Sequence, residues 1–151
     1  MIKSLYICLI SFVFSSCGIY SFSGASISND VKNVSINTFE NIASLAPTTL
    51  SNLITEALKD KFLSETRLSQ VNNDGDLMFN GQITNYNINP IAIQANETAS
   101  KNRLSITVKV NFINNIDKDN SFNKTFNRYT DYESSINFTS VEESLNEEII
   151  S

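Results

Sequence analysis

The chain alternates between segments with helical and segments with strand-like hydrophobic periodicity. From Leu50 to Phe62, apolar residues recur at intervals of three and four, the spacing that places side chains along one side of an α-helix. This run follows Pro47, which opens the helical pattern. The pattern predicts an amphipathic helix over residues 48–66.

Regular alternation of apolar and polar residues predicts strands in other parts of the chain. A short alternating run lies within residues 31–39, and a longer one extends from Leu104 to Phe112. The longer run is typical of a half-buried strand with one solvated face. The polar residues 114–120 then predict a hairpin loop, and residues 122–132 the returning strand.

Another predicted strand begins at Leu77, after the turn-forming residues 72–76. Its alternation changes phase near Thr84–Asn85, and a β-bulge would explain the change because it inserts one extra residue. Pro90 favours an edge position or a break. Residues 91–93 would then resume the strand.

The chain ends in a second helical pattern, which starts near residue 139. The segment Ser140–Glu143 has the form of a capping box, in which a serine side chain and a glutamate side chain cap the start of a helix. The predicted buried side of this helix consists of apolar residues spaced by four: Val141, Leu145 and Ile149. Because the pattern still runs at residue 151, we expect a shortened final helix or a truncated reading frame.

In chain order these elements read β-α-β-β-β-α. We therefore expect an α+β domain over residues 31–151, with two helices packed on one face of a mostly antiparallel four-stranded sheet.

The N-terminal residues 1–16 have the layout of a secretory signal peptide. A cationic start with Lys3 is followed by a mostly apolar run at 4–14 and by two serines. The run is too short for a transmembrane helix, which needs about 20 apolar residues. The sequence therefore predicts that residues 1–16 are cleaved.

Cys17 directly follows the small residues at the predicted cleavage site, as in a lipobox, although Phe14 replaces the usual leucine. We expect Cys17 to be acylated and residues 17–30 to form the lipidated cysteine and a tether. The alternative is ordinary cleavage that leaves an unmodified thiol. A disulfide framework is excluded for the mature chain, because the second cysteine, Cys8, lies within the leader.

The composition argues against most catalytic chemistry. The chain has no histidine, which removes the commonest general base and the commonest metal ligand. The glutamates at 142–143 and 147–148 suit a solvated helix face, and the acidic fragments at 74–76 and 117–119 lack the spaced ligands of a calcium loop. We therefore predict no catalytic residue, no metal site, no cofactor and no enzyme activity.

The charge pattern also bears on the class of partner. The net charge is −5 and no stripe of lysine and arginine occurs, so nucleic-acid binding is not expected. Four cationic residues in and around the long strands are candidates for contact with phosphates or sugars of an anionic ligand: Lys101, Arg103, Lys109 and Arg128. The alternative is that they are ordinary charges on a sheet surface.

Several blocks of the sequence resemble the LptE family of lipopolysaccharide-assembly lipoproteins, especially its Bacteroidota-type branch. The resemblance extends over nearly the whole chain and is carried by Cys17–Gly24, Leu50–Phe62, Gly75–Leu77 with Phe79 and Gly81–Thr84, Pro90–Gln94, Asn96–Ala99, Asn102–Val110 and Arg128–Tyr132.

The resemblance implies an outer-membrane lipoprotein that faces the periplasm and is anchored through Cys17. It implies binding to lipopolysaccharide and occupation of the lumen of the β-barrel LptD, where such proteins support barrel assembly and the insertion of lipopolysaccharide at the cell surface. Arg103 and Lys109 are the first candidates for ligand contact. The alternative function is another periplasm-facing envelope lipoprotein, such as a small-lipid carrier or a structural factor.

Overall fold

The structure, a computed structural model, describes residues 27–91 and 101–151. The predicted signal peptide, Cys17, most of the predicted tether and the predicted strand residue Ile93 lie outside the described residues.

The long elements expected from the sequence are present. In chain order, the described elements are β1 (Asn33–Ile36), β2 (Glu40–Asn41), α1 (Leu50–Glu65), β3 (Ser69–Val71), β4 (Leu77–Ile91), β5 (Lys101–Asn114), β6 (Phe122–Glu133) and α2 (Phe138–Ile150). A single 3₁₀ turn at Lys118–Asn120 lies in the predicted hairpin loop between β5 and β6.

The sheet is mixed and six-stranded, so the expected mostly antiparallel four-stranded sheet is wrong in both respects. The strand order is β3-β1-β4-β5-β6, and β2 also pairs with β4. The pairs β1–β3, β1–β4 and β2–β4 are parallel, whereas β4–β5 and β5–β6 are antiparallel. The strands β2 and β3 were not predicted because two or three residues are too few to show alternation. The pair β1–β3 is parallel because α1 lies between the two strands and returns the chain to the same end of the sheet.

The predicted β-bulge in β4 is confirmed, because the register with β5 shifts between Ile83 and Asn85. As a result, Ile83 and Tyr86 are both buried on the helix-covered side despite their odd spacing. Of the two alternatives predicted for Pro90, the structure shows the edge position and not the break. Pro90 pairs with Asn102 of β5, and no described strand pairs with it on its other side; proline is tolerated at such an edge position.

Both helices pack on the same face of the sheet, as expected. One buried cluster joins α1 and α2 to the centre of the sheet through Leu50, Ile83, Tyr86, Leu104, Ile106, Tyr132, Leu145 and Ile149. A second cluster surrounds β1 and the start of β4, and consists of Val31, Val34, Ile36, Phe39, Leu68 and Leu77.

The start of α2 differs from the prediction. The N-cap is Asn137, whose side-chain oxygen accepts a hydrogen bond of 3.0 Å from the backbone N–H of Thr139. Ser140 lies inside the helix and its hydroxyl donates to the carbonyl of Asn137 at 2.7 Å, so the predicted capping box is wrong. Asparagine is as favourable an N-cap as serine, and this made the boundary ambiguous in the sequence.

The predicted turn at residues 72–76 connects β3 to β4 and contacts β1 and the residues just before it. Asp74 has a φ of 53°. Gly75 is required by close packing, because a Cβ there would lie 2.5 Å from the backbone nitrogen of Ser35 and 2.7 Å from the carbonyl oxygen of Leu77. The Asp76 carboxylate accepts a hydrogen bond of 2.7 Å from the backbone N–H of Lys32.

Candidate ligand-binding surfaces

The two sides of the long strands have different chemistry. On the side away from α1 and α2, β4, β5 and β6 present amide, hydroxyl and charged side chains, because alternate residues of a strand lie on opposite faces. We call this surface the polar face: Asn80, Gln82, Asn85, Asn87, Lys101, Arg103, Ser105, Thr107, Lys109, Asn111, Asn123, Thr125, Asn127, Tyr129, Asp131 and Glu133.

Two of the predicted contact residues on the polar face already have acidic partners. The guanidinium of Arg103 donates to both carboxylate oxygens of Asp131, at 2.7 and 2.9 Å, and lies 3.7 Å from the ring centroid of Tyr129. Lys101 lies 3.6 Å from the Glu133 carboxylate. The charge of Arg103 is therefore balanced within the sheet, which makes it a poor candidate for holding an anion, whereas the exposed Lys101–Glu133 pair is weak in water.

The pKa shifts of Arg103 and Asp131 show that each residue stabilises the charged form of the other. The hydrogen bonds from Arg103 hold the pKa of the Asp131 carboxyl below its usual value. In turn, the bonds to Asp131 raise the pKa of Arg103. The pair stays ionised around neutral pH and fixes the positions of β5 and β6 relative to each other.

Lys109 is exposed and borders a depression of the polar face. Among the described residues it forms no ion pair. We call this depression the polar pocket; it has a volume of about 390 Å³ and is lined by Asn37, Thr38, Glu40, Asn80, Gly81, Gln82, Lys109, Asn111 and Asn123.

Arg128 lies on the opposite side of the sheet from the other three candidates. It shares the helix-covered side of β6 with Phe122 and Phe126, and borders an open groove between the helices and the sheet. We call this the apolar groove; it has a volume of about 360 Å³ and is lined mainly by Phe39, Ile54, Leu58, Lys61, Phe79, Val108, Val110, Phe122, Phe126, Arg128 and Ile149.

The floor of the apolar groove is aromatic and aliphatic. The lining residues Phe79 and Phe122 are joined through the ring of Phe112, which lies between them on β5 with centroid distances of 4.7 and 5.0 Å. The helices leave this end of the sheet incompletely covered, so that Phe126 remains 48% exposed. The result is a surface on which apolar chains can be buried.

The charges at the apolar groove are of one sign. The lining contains Lys61 and Arg128, and no carboxylate among the residues that the structure describes. Lys124, on the same side of β6, places its ammonium 5.0 Å from the ring of Phe122. Lys61 lies 3.4 Å from Glu65 in an exposed pair, which is a weak interaction in water. An apolar floor with cations at its rim suits an amphiphile with an anionic head.

The four predicted contact residues therefore do not form one site. Lys101, Arg103 and Lys109 belong to the polar face, whereas Arg128 borders the apolar groove. Arg128 follows Phe126 by two positions, and residues spaced by two in a strand lie on the same face of the sheet, so the sequence contains the signal that places Arg128 on the side of Phe126. Lys61 was not predicted, although it follows the apolar residue Leu58 of α1 by three positions and therefore lies near the apolar stripe.

One buried polar group connects β4 to α2. The Tyr86 hydroxyl lies 3.0 Å from the Glu142 carboxylate and 3.2 Å from the Asn146 side-chain oxygen. Burial, together with the bond to Glu142, raises the pKa of Tyr86, so this phenol stays protonated. It is a structural contact, because Tyr86 is only 4% exposed and borders neither surface.

Residues 27–91 and 101–151 contain no helix that is long and apolar enough to cross a membrane. Nor do they contain a cluster of acidic, histidine or cysteine side chains able to hold a metal ion.

Comparisons with known proteins give a family and a fold. Residues 31–151 match the sequence model of the LptE family, described as lipopolysaccharide-assembly. The comparison with curated proteins gave no match.

Two solved structures illustrate the similarity of fold. The hypothetical protein CT253 from Chlamydia trachomatis is 10% identical with a TM-score of 0.50, over 80% of this chain and 94% of that chain. A minor lipoprotein from Acinetobacter baumannii is 14% identical with a TM-score of 0.50, over 80% of this chain and 84% of that chain. Identities this low show a common fold and do not bear on ligands.

Proposed function

Because the chain belongs to the LptE family of lipopolysaccharide-assembly lipoproteins, we propose that it is a subunit of the translocon that exports lipopolysaccharide. In this role it binds lipopolysaccharide in the apolar groove, and its polar face lies within the lumen of the β-barrel LptD. The family is non-enzymatic and belongs to the cell envelope. We further propose that the chain is attached to the outer membrane through acylated Cys17 and faces the periplasm.

The division of the sheet into a polar face and a cation-rimmed apolar groove supports this proposal best. Lipopolysaccharide combines acyl chains with phosphates. Burial of an acyl chain against Phe79, Phe122 and Phe126 is favourable by about 25 cal/mol per Å² of apolar surface. Arg128 and Lys61 would then meet the phosphates, since no carboxylate of the described lining opposes an anion.

The polar face suits the inside of a β-barrel. The interior of an outer-membrane barrel is polar and often plugged by protein elements. The amide and hydroxyl side chains along β4, β5 and β6 can hydrogen-bond to such a wall or to the water within it. A partner that offers an apolar surface would leave these groups without hydrogen bonds, at a cost in free energy.

A small-lipid carrier is the second candidate function, and the apolar groove is the observation that favours it. A carrier needs a lipid site and no barrel. The two functions therefore differ in their protein partner and not in the chemistry of the groove.

Lipopolysaccharide binding by the full-length protein in mild detergent tests the groove. We expect the double substitution K61A/R128A to weaken binding at least tenfold, because it removes both cations of the groove lining. The matched control is K118A/R67A, which removes the same charge from exposed positions outside the groove and should leave the affinity within twofold.

Two results would contradict the proposed binding site. One is unchanged affinity of K61A/R128A, and the other is equal weakening by both pairs, which would indicate a general effect of net charge. Circular dichroism spectra of the variants confirm that each is folded before the affinities are compared.

A further inference from the structure

We infer that the polar pocket is a binding site for a neutral saccharide. The inference rests on the proposed function only for the source of the saccharide, which would be the carbohydrate part of the exported glycolipid. The assignment of the pocket to a saccharide depends only on the residues that line it.

The chemistry of the lining matches sugar hydroxyls. Asparagine and glutamine side chains each carry a carbonyl acceptor and an amide donor, and a hydroxyl group is likewise both donor and acceptor. Five amide side chains border the pocket: Asn37, Asn80, Gln82, Asn111 and Asn123. Such a lining satisfies a ligand that presents several hydroxyls, and offers little to an apolar ligand.

The strand register arranges these amides in rows. Asn80, Asn111 and Asn123 are direct neighbours across β4, β5 and β6, so they are spaced by the interstrand distance of about 4.8 Å. Gln82 and Lys109 form the adjacent row. Strand pairing therefore fixes the backbone positions of these residues, so that binding a ligand requires no further ordering of the backbone.

Some side chains of the lining are held in place by hydrogen bonds to one another, and others are available to bind a ligand. Asn37 donates to the Asn80 side-chain oxygen at 2.7 Å, and Gln82 donates to the Glu40 carboxylate at 2.8 Å. Among the described residues, the side chains of Asn111 and Asn123 form no such bond. These two amides are the direct ligand contacts that we assign.

The charge of the pocket favours a neutral ligand over a phosphate. Its lining holds one cation, Lys109, and one carboxylate, Glu40. Their charges cancel, and the carboxylate repels anions. The volume of about 390 Å³ lies within the range of small-molecule sites, about 300–1,000 Å³.

The position of the pocket connects it to the apolar groove. β6 is an edge strand of the described sheet, and consecutive residues of β6 border the two surfaces: Phe122 lines the groove and Asn123 lines the pocket. A glycolipid whose acyl chains occupy the groove can therefore pass its carbohydrate around this edge into the pocket.

Titration of the full-length protein with neutral, phosphate-free oligosaccharide released from lipopolysaccharide, which carries no acyl chains, tests the inference. In ¹⁵N-resolved NMR spectra we expect shifts confined to the pocket and at least tenfold weaker binding of N111A/N123A. The matched control N85A/N127A removes two exposed amides of the same face outside the pocket and should bind like the unsubstituted protein.

A second titration identifies the source of the saccharide. The neutral disaccharide of N-acetylglucosamine, which represents the glycan of peptidoglycan, is the competing sugar, and binding of this sugar alone would keep the pocket as a saccharide site but remove the link to the exported glycolipid. Absence of binding by either sugar at millimolar concentration overturns the inference. So does equal weakening by both asparagine pairs.

Failure of this inference is distinguishable from failure of the proposed function. Binding of intact lipopolysaccharide that depends on Lys61 and Arg128, without any binding of free oligosaccharide, would refute the pocket and leave the proposed function standing.

Discussion

Tyr86 shows how a single side chain connects the sheet to the last helix. Its ring is part of the buried cluster beneath both helices, and its hydroxyl is shared between Glu142 and Asn146. Asn146 is only 4% exposed, and the Tyr86 hydroxyl lies against its side-chain oxygen. The sequence placed Tyr86 out of phase with the first half of β4, and the bulge that this implied is what turns the ring toward α2.

Replacing Tyr86 with phenylalanine should destabilise the fold. The substitution keeps the ring but removes the hydroxyl that bonds to Glu142 and lies against the buried Asn146 side chain, and leaving a buried polar group unsatisfied costs about 1–3 kcal/mol. Urea unfolding of Y86F, compared with Y129F, measures the effect. Tyr129 is 55% exposed, and loss of its hydroxyl should change stability by less than about 0.5 kcal/mol. Equal stability of Y86F and the unsubstituted protein would show that the contact is not required.

At the scale of elements, the sequence predicted what periodicity can encode. The helix α1 and the strands β4, β5 and β6 are long enough to show their period, and the bulge in β4 appears as a change of phase. Strands β2 and β3 are too short to show a period in the sequence. They are defined instead by their parallel pairing with β4 and β1. The start of α2 was misplaced because Asn137 and Ser140 are both good caps, and local sequence does not choose between them.

Gly81 is an element-scale contact that periodicity could not predict. It lies in the middle of β4, and the ring of Phe39, between β1 and β2, packs directly on it, so that a Cβ at this position would overlap the ring. Overpacking of this kind costs about 1–3 kcal/mol. We expect G81A to lower the free energy of unfolding by this amount, as measured by urea denaturation.

A double-mutant cycle with F39L provides the control for Gly81. Because leucine is smaller than phenylalanine, the cost of G81A should fall when Phe39 is already replaced. Strictly additive effects of the two substitutions would contradict direct packing of the ring on Gly81.

At the scale of the whole molecule, the candidate surfaces arise from assembly. The apolar groove combines residues from the β1–β2 connection, α1, the three long strands and the end of α2, and no local spacing brings these together. The sequence identified Arg128 and Lys109 as cationic candidates, but only the fold places them on opposite sides of the sheet. It also shows that Arg103 and Lys101 are paired with Asp131 and Glu133. A chain with a net charge of −5 thus presents a locally positive groove.

Site-specific photocrosslinking in intact cells tests most directly whether the polar face lies inside a barrel. A photoreactive residue at Asn85, which is exposed on the polar face, is compared with one at Glu143, which is exposed on α2. If the polar face lies inside a barrel, the residue at position 85 forms an adduct with a large outer-membrane β-barrel protein, and the adduct at position 143 is much weaker. Absence of a barrel adduct at position 85, or adducts of equal strength at both positions, would show that the polar face does not lie inside a barrel. Copurification of lipid without any barrel would identify a small-lipid carrier.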